Sequence, residues 1–196
     1  MSMAALNPFM GELIQTSVPG VTCNWLQWVD YQVSPVAISN TAVLASTLLT
    51  GLVQTVTTGI TNPGVVRNVV VKGALAGSVG NVIVTGTDYA GNVINETIAL
   101  SGVAVVVGAK AFATVTQIVL PVQSGGGDGV SVGVGSKLGL PYTLTNNTVR
   151  MAYNNNVLEA TAPTVAVDAV NLCNNTVTLV SALAGNVVDI CLAIPG

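Results

Sequence analysis

The stretch VIVTGTDYAGNVINETIAL, residues 82–100, decides the fold class. Val82 to Thr87 is rich in β-branched residues, Asp88-Tyr89-Ala90-Gly91-Asn92 is turn-forming, and Val93 to Leu100 is β-branched again, which predicts a β-hairpin. Asp88 is placed to close an Asx-type turn, and Gly91 and Asn92 tolerate positive φ, so geometry alone accounts for the loop. Its acid, ring and amide, Asp88, Tyr89 and Asn92, are also candidates for contact with a partner.

The pattern continues on both sides. Between Gly59 and Leu144 the chain reads as strand and turn throughout: Ile60 to Gly64 is a turn and Val65 to Lys72 a strand. Phe112 to Leu120 alternates as one strand, with Phe112, Thr114, Thr116, Ile118 and Leu120 on one face. After the glycine run 125–129, Val130, Val132 and Val134 point one way, and Ser131, Gly133 and Gly135 the other. From Thr145 onward the strands are carried on asparagine turns. Asn154-Asn155-Asn156 is predicted as a hairpin tip between Thr148–Tyr153 and Val157–Thr161, and is exposed enough in that role to be a contact candidate. Ala184-Gly185-Asn186 precedes a final strand whose apolar face is Val188, Ile190, Leu192 and Ile194.

Short strands at this spacing predict an all-β chain, an antiparallel β-sandwich or partly closed barrel, two forms that need the same alternation. Residues 1–57 are read as an extended N-terminal arm and attachment segment, and 58–196 as the β-sandwich domain, within which 145–196 could form a C-terminal strand subdomain. In the arm, Val43, Leu44, Leu48, Leu49 and Leu52 suit a helical stripe, whereas the Thr and Val content lowers helix propensity. Residues 41–56 are therefore either a short helix or extended. Trp25 and Trp28 are contact candidates, as an anchor for the arm or as a carbohydrate platform.

Composition excludes several classes. Only 7% of the residues are charged, against about 25% in ordinary domains, so the polar surface rests on Ser, Thr, Asn, Gln and Gly. Few charges keep copies apart, and burial of much of the surface against other subunits is expected. Five basic residues and a net charge of −3 leave no stripe for tracking phosphates, so nucleic acid is not an expected partner. The uncharged run 31–66 is broken by Ser34-Pro35, Asn40, Gln54 and Asn62-Pro63, so it lacks the roughly 20 apolar residues that a spanning helix needs. The start carries Glu12 and no basic region. Neither a membrane-spanning helix nor a secretory signal is expected; a membrane β-barrel, whose strands carry a weaker signal, has against it two Phe, two Trp and four Tyr, too few for two aromatic girdles.

The candidate chemistry is sparse. The chain has no histidine, the commonest general base and transition-metal ligand. Cys23, Cys173 and Cys191 lie far apart without CxxC spacing, which fits neither a zinc site nor a disulfide framework. Gly125–Gly129 lacks the GxxxxGK[ST] frame of a phosphate loop. Asp88, Asp128, Asp168 and Asp189 stand one to a loop, outside the repeated-acid pattern of calcium loops. No GxSxG occurs, and Ser136-Lys137 are adjacent residues whose side chains would diverge in a strand. The expectation is a non-enzymatic protein without a catalytic site, metal or cofactor.

The segments GITNPGVVRNVVVKG, VIVTGTDYAGNVINETIALSG, GAKAFATVTQIVLP, DGVSVGVGSKLGLPYTL and NNTVRMAYNNNVLEATAPTV resemble β-rich virion structural proteins of tailed bacteriophages, across about residues 58–196. The resemblance implies a capsid decoration or cement protein. Such a protein is made in the host cytoplasm and bound to the outside of the assembled head, with the major capsid protein and copies of itself as partners, a trimer being one possible oligomer. The alternative is a tail, head–tail connection or tail-fibre-associated adhesion protein, whose loops at 88–92 and 154–156 would meet a host surface.

Overall fold

The computed structural model describes residues 14–15, 22–23, 26–123 and 127–195. Among them there is no α-helix; the chain is an all-β assembly of antiparallel sheets. The first strands are β1 (Ile14–Gln15) and β2 (Thr22–Cys23), which pair with each other, then β3 (Leu26–Val33), β4 (Ser39–Leu48) and β5 (Gln54–Val56). The middle of the chain gives β6 (Arg67–Gly73), β7 (Asn81–Thr87), β8 (Val93–Ala99), β9 (Val105–Phe112), β10 (Thr114–Leu120) and β11 (Gly129–Gly139). The last part gives β12 (Val149–Asn154), β13 (Val157–Leu158), β14 (Thr164–Ala166), β15 (Thr176–Thr178) and β16 (Val188–Pro195), with a single 3₁₀ turn at Leu172–Asn174.

The predicted hairpin is present as β7–β8, in register from Asn81↔Ala99 to Thr87↔Val93. It belongs to a four-stranded sheet, β5-β10-β7-β8, that lies over a larger sheet centred on β11, with β6 and β9 on one side and β4 and β15-β14 on the other. Val82, Val84, Ile98, Ile118 and Leu120 from the first sheet meet Val69, Val71, Val130, Val132 and Val134 from the second in one buried core. A third sheet, β13-β12-β16-β3, makes a second core. There Tyr31, Ala152, Val188, Ile190 and Leu192 pack against Leu138, Leu140 and Val177. β11 thus serves both cores, its first half in one and Leu138 in the other, which is why it is buried on both faces along most of its length.

Some readings of the sequence change. Within residues 26–57, read as the end of an arm, three strands join the three larger sheets, because β3 pairs with β16, β4 with β11 and β5 with β10. The segment 41–56, undecided between helix and extended arm, is extended: its first part belongs to β4 and its end is β5, and Val43, Leu44 and Leu49 supply the same core that a helical stripe would have supplied. The run 112–120 is not one strand. Ala113 separates β9 from β10, and a bulge between Val115 and Gln117 shifts the alternation, so that Val115, Ile118 and Leu120 are buried while Thr114 and Thr116 stay on the outer side. The second arm of the 154–156 hairpin is shorter than expected, ending at Leu158.

The outer face of β5-β10-β7-β8 carries no charged side chain. Thr55, Val119, Ile83 and Thr97 form one row across the four strands, with Gln117, Thr85 and Asn95 beside it and Thr114, Thr87 and Val93 beyond. Val93 is 77% exposed. Thr87 and Thr114 share a hydroxyl hydrogen bond of 2.7 Å.

Candidate functional site

The loop 88–92 closes on itself. Asp88 is only 4% exposed. Its Oδ1 accepts hydrogen bonds from the backbone N–H groups of Ala90 and Asn92, both at 2.9 Å, and its Oδ2 accepts one from the Asn92 side-chain amide at 3.2 Å. Gly91 supplies the positive φ, 83°, that the turn needs. What remains outward is Tyr89, whose ring meets that of Tyr31 edge-on, 6.2 Å between centroids at 73°. Because Tyr31 belongs to the second core, the hairpin loop ties the two cores together. Burial, and then the neighbouring Tyr89, raise the Tyr31 phenol well above its ordinary pKa.

The tip of the β12–β13 hairpin is a two-residue turn with Asn155 at φ 53° and Asn156 at φ 61°, the left-handed pair that asparagine tolerates. Asn154 points inward: its Nδ2 donates to Ser181 Oγ at 2.8 Å and to the Ala182 carbonyl at 3.1 Å. Glu159 reaches the same loop, accepting from the N–H groups of Val180 (2.8 Å) and Ser181 (3.0 Å) and from the Ser181 hydroxyl. Burial alone would raise its pKa; the bonds from Ser181 and Val180 outweigh that and lower it.

The remaining acidic loops are likewise occupied. Asp168 accepts from the N–H groups of Val170 and Asn171 and from the side-chain amides of Asn171 and Asn174. Those bonds, the Asn171 N–H first, hold its carboxyl far below the ordinary range. Asp128 accepts from the Ser78 hydroxyl at 3.4 Å. Among the described residues no three His, Cys, Asp or Glu side chains come together as a metal site.

The most built surface lies on the outer face of β13-β12-β16-β3. β3 runs in unbroken register with β16, which sets Trp28 opposite Ala193, Asp30 opposite Cys191 and Gln32 opposite Asp189. On the other side of β16, Met151 stands beside Cys191 and Tyr153 beside Asp189. Alternation turns all of these away from the core that Tyr31 and Ile190 enter. Asp30, Gln32, Tyr153, Asp189 and Cys191, with Asn156 from the hairpin tip, line an open cleft of about 560 Å³. Gln32 Nε2 donates to Asp189 Oδ1 at 2.7 Å, and the Tyr153 hydroxyl donates to the Met151 sulfur at 3.6 Å. Burial, followed by the hydrogen bond and charge of Asp30 and the charge of Asp189, pushes the Cys191 thiol up to about 11, so it stays protonated at neutral pH. Trp28, at the end of this face, is 63% exposed.

Of the residues singled out from the sequence, Trp28 and Asn156 therefore share one sheet face. Asp88 and Asn92 build their own turn, Tyr89 packs on Tyr31, Asn154 anchors the loop at 181–182, and Trp25 lies outside the described residues. Sequence reasoning missed Asp30, Gln32 and Tyr153, and it weighed Asp189 only as a loop acid for a turn or for calcium, whereas it stands on strand β16. The i, i+2, i+4 spacing of Trp28, Asp30 and Gln32 was the available signal for the first two. No family model, curated protein or solved structure matches this chain.

Proposed function

We propose that this chain is a non-enzymatic virion structural protein of a tailed phage, a capsid decoration protein that binds the outside of the assembled head and stabilises capsomer junctions as a homo-oligomer. The resemblance of residues 58–196 supplies the setting. The observation that supports the reading most is the uncharged outer face of β5-β10-β7-β8, lined by threonine, asparagine and aliphatic side chains. A charged residue buried at an interface must be paired or costs several kcal/mol, whereas Thr, Asn, Val and Ile desolvate cheaply and can pair their hydroxyls and amides across the contact. Exposed Val105 and Val107 on β9 add to the apolar surface that a partner would cover.

Binding only the assembled shell stabilises it by mass action, and many copies multiply the effect. The partners are the major capsid protein and further copies of this chain. The test is particle stability with and without the protein. Heads lacking it should break at lower temperature or lower osmotic stress, and adding back purified protein should restore them. Ile83→Lys protein should fold but fail to restore them, because it buries an unpaired charge. Heads equally stable without the chain would overturn the proposal.

A further inference from the structure

We propose that the outer face of β12-β16-β3 is a binding site for a neutral, hydroxyl-rich oligosaccharide, with Trp28 and Tyr153 as its ring platforms and Asp30, Asp189, Gln32 and Asn156 as its hydrogen-bonding groups. The anomaly that points to it is Trp28. A tryptophan with 63% of its surface in water on the open side of a regular strand contributes little to either core, and the large flat indole is an uncommon choice for plain solvent contact. Its flat face matches the C–H-lined face of a hexose ring, which is apolar although the ring edge is not.

The edge chemistry is beside it. Carboxylates accept two hydrogen bonds from neighbouring hydroxyls, and side-chain amides both donate and accept, which is the mixture that a sugar edge presents. Asp189 is already oriented by Gln32. Tyr153 spends its hydroxyl hydrogen on a thioether, a weak acceptor, and can exchange it for a sugar oxygen. All but Asn156 stand on strands rather than loops, so little ordering cost accompanies binding. Trp28 and Gln32 are four residues apart, about 13 Å along β3, and Tyr153 lies two strands away, about 10 Å. That span exceeds one hexose ring and fits a short oligomer.

The charges choose the class of glycan. The cleft has two carboxylates and neither lysine nor arginine in its lining, so uronic and sialic acid chains are repelled while neutral hexoses are not. Two carboxylates without a third ligand are too few for a resident divalent cation, and none of the described side chains completes such a set.

The experiment is binding of the purified full-length chain to an array of neutral and acidic oligosaccharides, with the best ligand then titrated by calorimetry and by tryptophan fluorescence. It needs no virion, so it stands or falls separately from the decoration role. The expected result is a neutral oligosaccharide bound with Kd of about 10⁻⁵ to 10⁻³ M, weakened about tenfold or more by Trp28→Ala and by Asp189→Ala. Ile83→Lys, on a different sheet, should leave the affinity unchanged. Trp28 is exposed, so its replacement tests the site without threatening the fold, and a normal unfolding midpoint checks that. The proposal is overturned by no binding to any neutral glycan at about 10 mM, by preference for acidic glycans, by binding that persists in Trp28→Ala, or by a calcium ion titrating the cleft in the absence of sugar.

Discussion

Among the described residues Arg67 is the basic side chain sealed in the interior, and its hydrogen-bond partners there are backbone carbonyls rather than carboxylates. Its strand neighbours are Phe112 of one core and Leu138 of the other, and its guanidinium donates to the carbonyls of Val36, at 2.8 Å, and Gly135. The planar fork thus closes two backbone groups at the seam between cores, while burial lowers its pKa to about 10. Arg67→Ala should lower the unfolding free energy by about 3 kcal/mol or more, since it leaves a cavity and two orphaned carbonyls. Arg67→Met, which keeps the volume, should cost about half as much in urea denaturation. Tyr31 makes a second prediction, in alkali. Its folded pKa lies above the ordinary 10.0, so the folded chain holds the phenol proton when the unfolded chain has released it. Its share of stability is therefore full below about pH 10 and falls as the pH rises beyond. Arg67 has the opposite sign: its depressed folded pKa makes its share rise with pH between about 10 and 12.5. The difference between the parent and Tyr31→Phe isolates the tyrosine. Between about pH 9 and 11.5 the Phe variant should lose less stability than the parent; an equal loss contradicts the burial argument.

Among the elements, the β4–β11 ladder is the least regular and the most constrained. Val132 pairs with Leu44 but Val134 with Ser39, so residues 40–43 of β4 bow out opposite Gly133 alone. A Cβ at Gly133 would lie 1.8 Å from the Ser39 carbonyl oxygen and 2.5 Å from the Asn40 backbone, both immovable without unzipping β4. Gly133→Ala should cost about 3 kcal/mol and expose the first core to hydrogen exchange along β4 ahead of the other strands. This close approach explains what the sequence could and could not convey. The β7–β8 hairpin was legible because its pairing is local, and its turn chemistry, Asp88 and Gly91, is written in adjacent residues. The asparagine turn at 155–156 was legible for the same reason. The strand character of 39–48 was not, because a helix and a bulged strand would both bury Leu44 and Leu49, and the partner that decides lies some eighty-five residues away. The bulge after Val115 was hidden similarly. The cleft was hidden most of all, since Asp30 and Cys191 meet only when β3 pairs with β16 from the opposite end of the chain.

For the whole molecule, the distribution of charge matters more than its sum. Eight acids and five bases serve 196 residues. Several of the acids are spent on turns and loop ties, as at Asp88, Asp168 and Glu159. That leaves one sheet face uncharged and another carrying Trp28 above two carboxylates. In the proposed account the uncharged face packs against the shell or a neighbouring copy, and the tryptophan face is turned to solvent. A lysine placed on the uncharged face, as in Thr97→Lys, should change the stability of the isolated chain by no more than about 0.5 kcal/mol yet abolish its retention on particles. Loss of fold in this variant would mean that the face serves the chain itself. The measurement that tests the central claim most directly is the copy number and position of this chain in purified virions, by quantitative gel densitometry and cryo-EM of the particle. The account predicts hundreds of copies spread over the head, seated by the β5-β10-β7-β8 face. A few copies at one vertex or along the tail, or none in the particle, would contradict it.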